Sequence, residues 1–297
     1  MKQLNRKSFG YLCILPTIII FAIFAIYPVF RTIFLSFFKY RLQTGNLRTF
    51  IGFENYLTMF KDSRFLNALS FTLIFSIITV SVEVILGLIF AQLMNMPFKG
   101  QWALRVIVLI PWSIPTIVSG FMWKFMVNDQ YGVFNQILYS LGFIENYIPW
   151  LSQDLTSRFI LILADIWKTS PYVSLLVLAG LQNIPESLND AAAIDGAGAI
   201  RKYFFITLPQ LKPVLATAVL FRLISALKIY TVIAALTNGG PGFATESLTM
   251  YTMRTFFSAG NYGYGACLST FTLIITCIIS LLFMDIIRNK INTGGKK

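Results

Sequence analysis

Six apolar stretches, each long enough to cross a lipid bilayer, constrain this chain more than any other feature. A helix rises 1.5 Å per residue and needs about 20 apolar residues to span the hydrocarbon core. Runs that meet this requirement are Phe9–Phe30, Ala68–Met94, Ala103–Val127, Phe159–Leu181, Val214–Leu236 and Ala266–Ile287. The first can continue as helix beyond Arg31. It is too long for a secretory h-region, and no small-x-small cleavage site follows it, so it reads as a retained span. Of the 297 residues, 56% are hydrophobic and only 12% charged. That charged share is about half the usual value for a soluble domain. The expectation is an all-α integral membrane protein of about six transmembrane helices.

An even number of spans leaves both ends on one side. Lys2, Arg6 and Lys7 precede the first run, and Arg288, Lys290, Lys296 and Lys297 follow the last. Lys99, Arg105, Arg201, Lys202 and Lys212 fall in or beside the second and fourth connections. The third connection carries Asp129, Glu145 and Asp154, and the fifth carries Glu246. Basic residues concentrate on the cytoplasmic side of membrane proteins, which places both termini there. The expected layout is a cytoplasmic N-terminus at 1–8, a transmembrane domain at 9–287 and a basic cytoplasmic tail at 288–297. The first connection runs against the rule, because it holds Lys39, Arg41, Arg48, Lys61 and Arg64 yet lies outside in this topology. The formal net charge of +12 is thereby read as membrane-orienting charge facing lipid, and nucleic acid is not an expected partner.

The chain contains no histidine, which removes Ser-His, Cys-His and His-metal chemistry. Cys13, Cys267 and Cys277 lie in apolar runs without C-x-x-C spacing, as small hydrophobes do. No metal site or catalytic residue is expected, and no G-x-x-x-x-G-K-[ST] loop is present to cradle nucleotide phosphates. Charges inside the spans are few: Glu83, Lys124, Asp165, Lys168, Arg222 and Lys228. Charge in hydrocarbon is costly, so such groups face a polar path or pair with one another between helices. Both readings are open from sequence. Asp165, Trp167, Lys168, Lys228 and Tyr230 form the candidate substrate path.

The connection at 183–213 has too much local order for a simple linker. Pro185 suits a first helical turn, and Glu186 complements the positive end of a helix dipole. Ala191, Ala192 and Ala193 favour helix, and Gly196 can take the left-handed conformation that ends one. A second short helix at Ala199–Phe205 presents Arg201 and Lys202 beside aromatics. Pro209 and Pro213 set off the next span. Read from the residues alone, this segment is either a docking knob or an amphipathic connector at the membrane interface.

The run Pro185-Glu186, Asp190-Ala191-Ala192, Asp195-Gly196-Ala197, Leu208-Pro209 and Pro213 resembles the EAA loop of permease subunits from bacterial binding-protein-dependent ABC importers. The family's usual glutamate is Asp190 here, the same charge on a shorter arm. Gly52-Phe53-Glu54-Asn55-Tyr56, Pro111-Trp112, Asp165-Ile166-Trp167 and Leu236-Thr237-Asn238-Gly239-Gly240-Pro241 resemble the maltose-permease-like carbohydrate branch, over about Phe9 to Ile287. The resemblance implies a cytoplasmic coupling loop between the fourth and fifth spans, with Glu186, Asp190, Ala191, Ala192, Asp195 and Gly196 gripped by an ABC ATPase subunit. It also implies that ATP and Mg are bound by that partner, and that a second permease chain and an extracytoplasmic solute-binding protein complete the importer. The cargo would be a sugar or oligosaccharide moved by alternating access across the cytoplasmic membrane. The rival classes are a polytopic enzyme acting on lipid or isoprenoid and a passive channel. The first would want paired acids at helical spacing, which Asp190 and Asp195 do not provide, and the second would not need the loop.

Overall fold

The computed structural model describes the backbone of residues 6–45 and 47–294; the side chains of 6–12, 44, 189 and 286–294 are not described. Lys2, Lys296 and Lys297 lie outside the described residues, as do the side chains of Arg6, Lys7, Arg288 and Lys290. In chain order the elements are α1 (Arg6–Phe21), α2 (Tyr27–Leu35), β1 (Phe38–Tyr40), β2 (Arg48–Phe50), α3 (Glu54–Lys61), α4 (Ser63–Asn95), α5 (Gln101–Ser113), α6 (Thr116–Met126) and α7 (Val133–Ser140). They continue as α8 (Asp154–Gln182), α9 (Glu186–Ile194), α10 (Ala199–Lys202), α11 (Leu208–Leu227), α12 (Thr231–Leu236), α13 (Leu248–Met253) and α14 (Tyr262–Gly294). Among the described residues, five helical runs are long and apolar enough to cross a membrane: Cys13–Leu35, Ser63–Asn95, Asp154–Gln182, Ala199–Leu227 and Tyr262–Asp285. The pair α5 and α6 supplies a sixth if counted as one broken span.

That pair corrects the straight third span expected over Ala103–Val127. The two helices meet at 93° across Ile114-Pro115. Proline has no N–H to donate and pushes the residue before it out of helical geometry. Ile114 accordingly sits at φ −70°, ψ 132°. The fifth expected span, Val214–Leu236, is also corrected: its helix stops at Leu227, and α12 is a separate piece. No glycine or proline occupies the break at Lys228–Tyr230. The stop is tertiary, since the Ser247 hydroxyl donates to the Ile229 carbonyl at 2.6 Å and buried Val232, Ile233 and Leu236 pack with Trp123 of α6.

Pro209 and Pro213 do not precede the fifth span as expected; they lie within it. A π-turn at Tyr203–Thr207 joins α10 to α11, with the Leu208 N–H bonded to the Tyr203 carbonyl. The wider turn makes room for the Pro209 ring, which in a regular helix would strike the carbonyl four residues back. The first span repeats the device, with a π-turn at Ala22–Ile26 directly before Tyr27-Pro28.

The chain divides into two compact units. One comprises the chain up to Ser63 together with Tyr251–Ile274. In it β1 pairs antiparallel with β2, Phe38 opposite Phe50 and Tyr40 opposite Arg48. The Asn55 amide holds the hairpin by donating to the carbonyls of Ser36 and Phe38. The first span is exposed along its length, Phe24 at 77% and Phe30 at 67%, a surface suited to lipid or another membrane chain.

The other unit spans Arg64–Met250 and the chain from Ile275. Its core forms two clusters. Phe71, Phe75, Trp123, Leu161, Ile233 and Leu236 make one; Ala91, Met94, Val173, Val177, Leu211 and Ala218 make the other. α8 contributes to both and is the most buried span. Close approach is set by small residues, as in other membrane bundles. A Cβ on Gly87 would lie 2.5 Å from Val173 Cγ1, so α4 and α8 touch there; a Cβ on Gly180 would lie 2.9 Å from Leu211 Cδ2. The Leu236–Glu246 segment is pinned to α4 and α8. Arg64 makes two contacts of 2.6 and 2.7 Å with buried Glu246, Asn67 donates to the Phe243 carbonyl, and Arg158 donates to that of Ala244.

Candidate functional site

The ordered connection forms the structure its residues dictate. Pro185 is the N-cap of α9, one position earlier than a first-turn proline, and Glu186 opens the helix. At the far end Gly196 stands at φ +71°, its N–H bonded to the Ala193 carbonyl, while the Ala197 N–H reaches Ala192. These two bonds are the paired closure that a left-handed glycine permits at a helix end. Gly198 then leads into α10, which runs without interruption into the fifth span. At the base of the loop, Gly180 of α8 meets Leu211 and Val214 of α11, clamping the two flanking spans.

Of the six candidate coupling residues, Glu186, Asp190, Ala191, Asp195 and Gly196 are exposed, whereas Ala192 is 4% exposed and faces inward. Gly196 has open space where a Cβ would be, so the chain itself requires glycine there for backbone conformation only. Large apolar side chains stand out beside these residues: Ile194 is 87% exposed and Ile200 78%.

Three of the ionisable residues in the spans, Glu83, Asp165 and Arg222, meet in a buried cluster. Arg222 of α11 donates from Nε to Glu83 Oε2 at 2.5 Å, from Nη2 to Glu83 Oε1 at 2.8 Å, and from Nη2 to Asp165 Oδ2 at 3.0 Å. The Thr169 hydroxyl, one turn beyond Asp165 on α8, lies 2.5 Å from Glu83 Oε1. One guanidinium thus ties α4, α8 and α11 together, with Glu83 fully buried. Lys168 follows Asp165 on α8 and is also buried. Its Nζ donates at 2.5 Å to the Ile114 carbonyl, the acceptor freed by the break before Pro115.

The five candidate path residues therefore divide. Asp165 and Lys168 are engaged in these interhelical bonds, and Trp167 packs edge-on against Trp123 at 5.9 Å. Lys228 and Tyr230 are exposed at the break between α11 and α12. Lys124, near a span end, is exposed as well.

The residues with the strongest geometry for a polar, ring-shaped ligand were not among those candidates. A cleft of about 360 Å³ is lined by Trp112, Thr169, Tyr172, Phe221, Arg222 and Ser225, with the Trp112 and Tyr172 rings 6.1 Å apart. Buried Ser119 Oγ and Trp123 Nε1, four positions apart on α6, have no hydrogen-bond partner among the described residues. A Ser-x-x-x-Trp pair in an otherwise apolar run was a legible signal for the second feature. For the first, three aromatics on three different helices left none. Among the described residues no group of histidine, cysteine, aspartate and glutamate could hold a metal ion.

The fold and this geometry define a multi-span membrane component with an exposed helical loop and an open, aromatic-lined cleft formed by α5, α8 and α11. The chain belongs to the family described as binding-protein-dependent transport system inner membrane component, which it matches over residues 83–293. It is 40% identical over 282 residues to the trehalose/maltose transport system permease protein MalF of Thermococcus litoralis, covering 95% of this chain and 94% of that one. It is 38% identical over 288 residues to the sulfoquinovosyl glycerol transport system permease protein SmoG of Agrobacterium fabrum, covering 97% and 93%. A crystal structure of a bacterial ABC transporter involved in import of the acidic polysaccharide alginate matches with a TM-score of 0.84 at 25% identity, covering 96% of each chain. The resemblance to the maltose-permease-like branch is borne out. The chain is a multi-pass inner membrane permease subunit of an ABC importer and not itself an enzyme.

Proposed function

We propose that this chain forms part of the path of an ATP-driven importer for a sugar or oligosaccharide and is coupled through residues 183–213 to a separate ATPase subunit. The transmembrane domain is assigned to 9–287, with the segments at 1–8 and 288–297 and the 183–213 loop in the cytoplasm. ATP and Mg belong to the ATPase; a second permease chain and an extracytoplasmic binding protein complete the assembly. The relatives named for trehalose/maltose and sulfoquinovosyl glycerol, and the alginate transporter, support a carbohydrate cargo. Trp112, Tyr172 and Phe221 offer ring faces for sugar stacking, with Thr169 and Ser225 as hydrogen-bonding groups. Asp165, Lys168 and Trp167 then act as supports of the path, and Lys228 and Tyr230 as groups at its exposed margin. Transport proceeds by rigid-body alternation between inward and outward openings, driven by closure of the ATPase pair.

The observation that carries the coupling assignment is the exposed, glycine-closed helix Glu186–Ile194, with Ile194 projecting into open space. In membranes containing the whole importer, with exposed Cys13 and Cys277 replaced by alanine, Ile194→Cys is expected to cross-link to the ATPase subunit. Asparagine tolerates the left-handed backbone, so Gly196→Asn should retain that adduct. Gly196→Trp adds bulk at the contact and should lose the adduct while still inserting in the membrane. An Ile194→Cys chain that never forms the adduct defeats the assignment.

A further inference from the structure

We propose that the hairpin and short helix after the first span hold the phosphodiester headgroup of an anionic phospholipid in the outer leaflet. The leaflet rests on the orientation given above; the headgroup site does not. Within this unit, β1, α3 and the start of α14 enclose a cleft of about 470 Å³ whose lining includes Lys39, Arg41, Lys61, Thr58, Asn261 and Tyr264. Glu54 and Asp62 also line it. The Asp62 carboxylate accepts hydrogen bonds from the Tyr251 and Tyr264 hydroxyls, the latter at 2.8 Å, so much of its acceptor capacity is turned away from a ligand. Three cations against two carboxylates leave the cleft net positive, and Lys39 and Lys61 are exposed.

The position of the cleft selects lipid over water-borne anions. β1 starts three residues after the first membrane-spanning run ends at Leu35, and Tyr264 lies in the first turn of the run Tyr262–Asp285. Both spans therefore leave the hydrocarbon beside the cleft, at the depth of lipid phosphates. α3 is two-faced. Phe53, Leu57 and Phe60 recur at helical spacing on one side and are 68%, 65% and 56% exposed, and Phe60 packs edge-on against Phe271 of α14. Asn55, Thr58 and Lys61 face the cleft from the other side. An apolar stripe beneath and basic groups above is the arrangement of a helix lying in a membrane interface. The proposal also accounts for the basic first connection, which the orientation rule leaves unexplained. Arg64 is not part of this account, being bonded to Glu246.

The test uses the purified full-length chain in neutral detergent, with retention of phosphatidylglycerol and phosphatidylcholine measured by native mass spectrometry. The wild type should retain phosphatidylglycerol preferentially. Each lysine near an anionic headgroup contributes about fivefold in affinity, so Lys39→Gln/Lys61→Gln should weaken phosphatidylglycerol retention by about twentyfold or more and leave phosphatidylcholine unchanged. Unchanged phosphatidylglycerol retention in a folded double variant overturns the proposal. So does a double variant that retains the lipid but no longer associates with the solute-binding protein, because the lysines would then serve acidic groups of that partner. With exposed Cys13 and Cys277 replaced by alanine, Lys39→Cys should react with a membrane-impermeant maleimide from outside the cell. Reaction only from the cytoplasmic side overturns the orientation and the outer leaflet assignment, whereas the detergent experiment tests the cleft alone.

Discussion

Replacing Arg222 by methionine removes the cation that contacts both Glu83 and Asp165, at nearly the same side-chain volume. Three bonds to carboxylate oxygens, of 2.5, 2.8 and 3.0 Å, disappear together. Glu83 is 0% exposed and Asp165 7%, so neither carboxylate can recover its hydration by a small movement. Breaking a buried pair by deleting one partner costs about 3–5 kcal/mol, most of it from the charge left behind. Against total stabilities of about 5–15 kcal/mol, that is a large share. For a chain of this size the loss corresponds to a fall in Tm of about 10 °C, at roughly 2–4 °C per kcal/mol. The assay is thermal unfolding of the purified chain in detergent, followed by tryptophan emission. A second variant separates charge from packing: Arg222→Met combined with Glu83→Gln and Asp165→Asn removes the charge at all three bonded positions and leaves Lys168 on the Ile114 carbonyl, and neutral replacements of buried ion groups are often tolerated. It should recover at least half of the lost Tm. The reasoning is refuted if Arg222→Met unfolds within about 2 °C of wild type, or if the triple variant is no more stable than the single one.

Gly87→Leu would force α4 away from Val173, because even its Cβ falls 2.5 Å from Val173 Cγ1 and 3.2 Å from the Ser174 backbone N. A loss of about 1–3 kcal/mol is expected from overpacking, read as a lowered Tm and partly recovered by Val173→Ala; a Tm equal to wild type would contradict the close crossing. Lys168→Met orphans the Ile114 carbonyl and should cost about 1–3 kcal/mol while leaving the KM for uptake unchanged. A raised KM at unchanged Tm would instead mark Lys168 as a substrate contact.

Long apolar runs declare themselves through composition, and so the spans Ser63–Asn95 and Asp154–Gln182 were legible with only their ends displaced. The loop helix was legible because its signals are local: a proline before it, alanines within it and a glycine after it. The bend in the third run was not, although its cause is a proline. Pro111 lies inside α5 whereas Pro115 follows its end, and there the Ile114 carbonyl, left outside the helix, takes a side-chain donor. That donor, Lys168, is 54 residues away. The stop at Leu227 depends in the same way on Ser247, 18 residues past the carbonyl it holds. The ion cluster joins positions 139 and 57 apart. A single chain records that charges are buried in its spans but not which ones meet.

Those distant bonds constrain how the proposed coupling can work. From Ala199 the helix continues through the π-turn to Arg222 without a break, about 35 Å at 1.5 Å per residue. A force applied at the Gly196 end of the loop therefore reaches the ion cluster through one continuous rod. The cluster has two possible responses. If α11 moved alone, Arg222 would withdraw from Glu83 and Asp165 and strand two carboxylates in an apolar interior. If α4, α8 and α11 moved together, every bond in the cluster would survive. The Gly180 clamp at the base of the loop and the Gly87 contact between α4 and α8 join the same three helices at other levels. The lower-energy movement is therefore a rigid rotation of α4, α8 and α11 as one body. In the proposed alternation the change of access then falls where that body meets helices outside it; Lys168, Arg64 and Arg158 tie the Ile114 carbonyl and the Leu236–Glu246 segment to α8 and α4, so both breaks travel with the body.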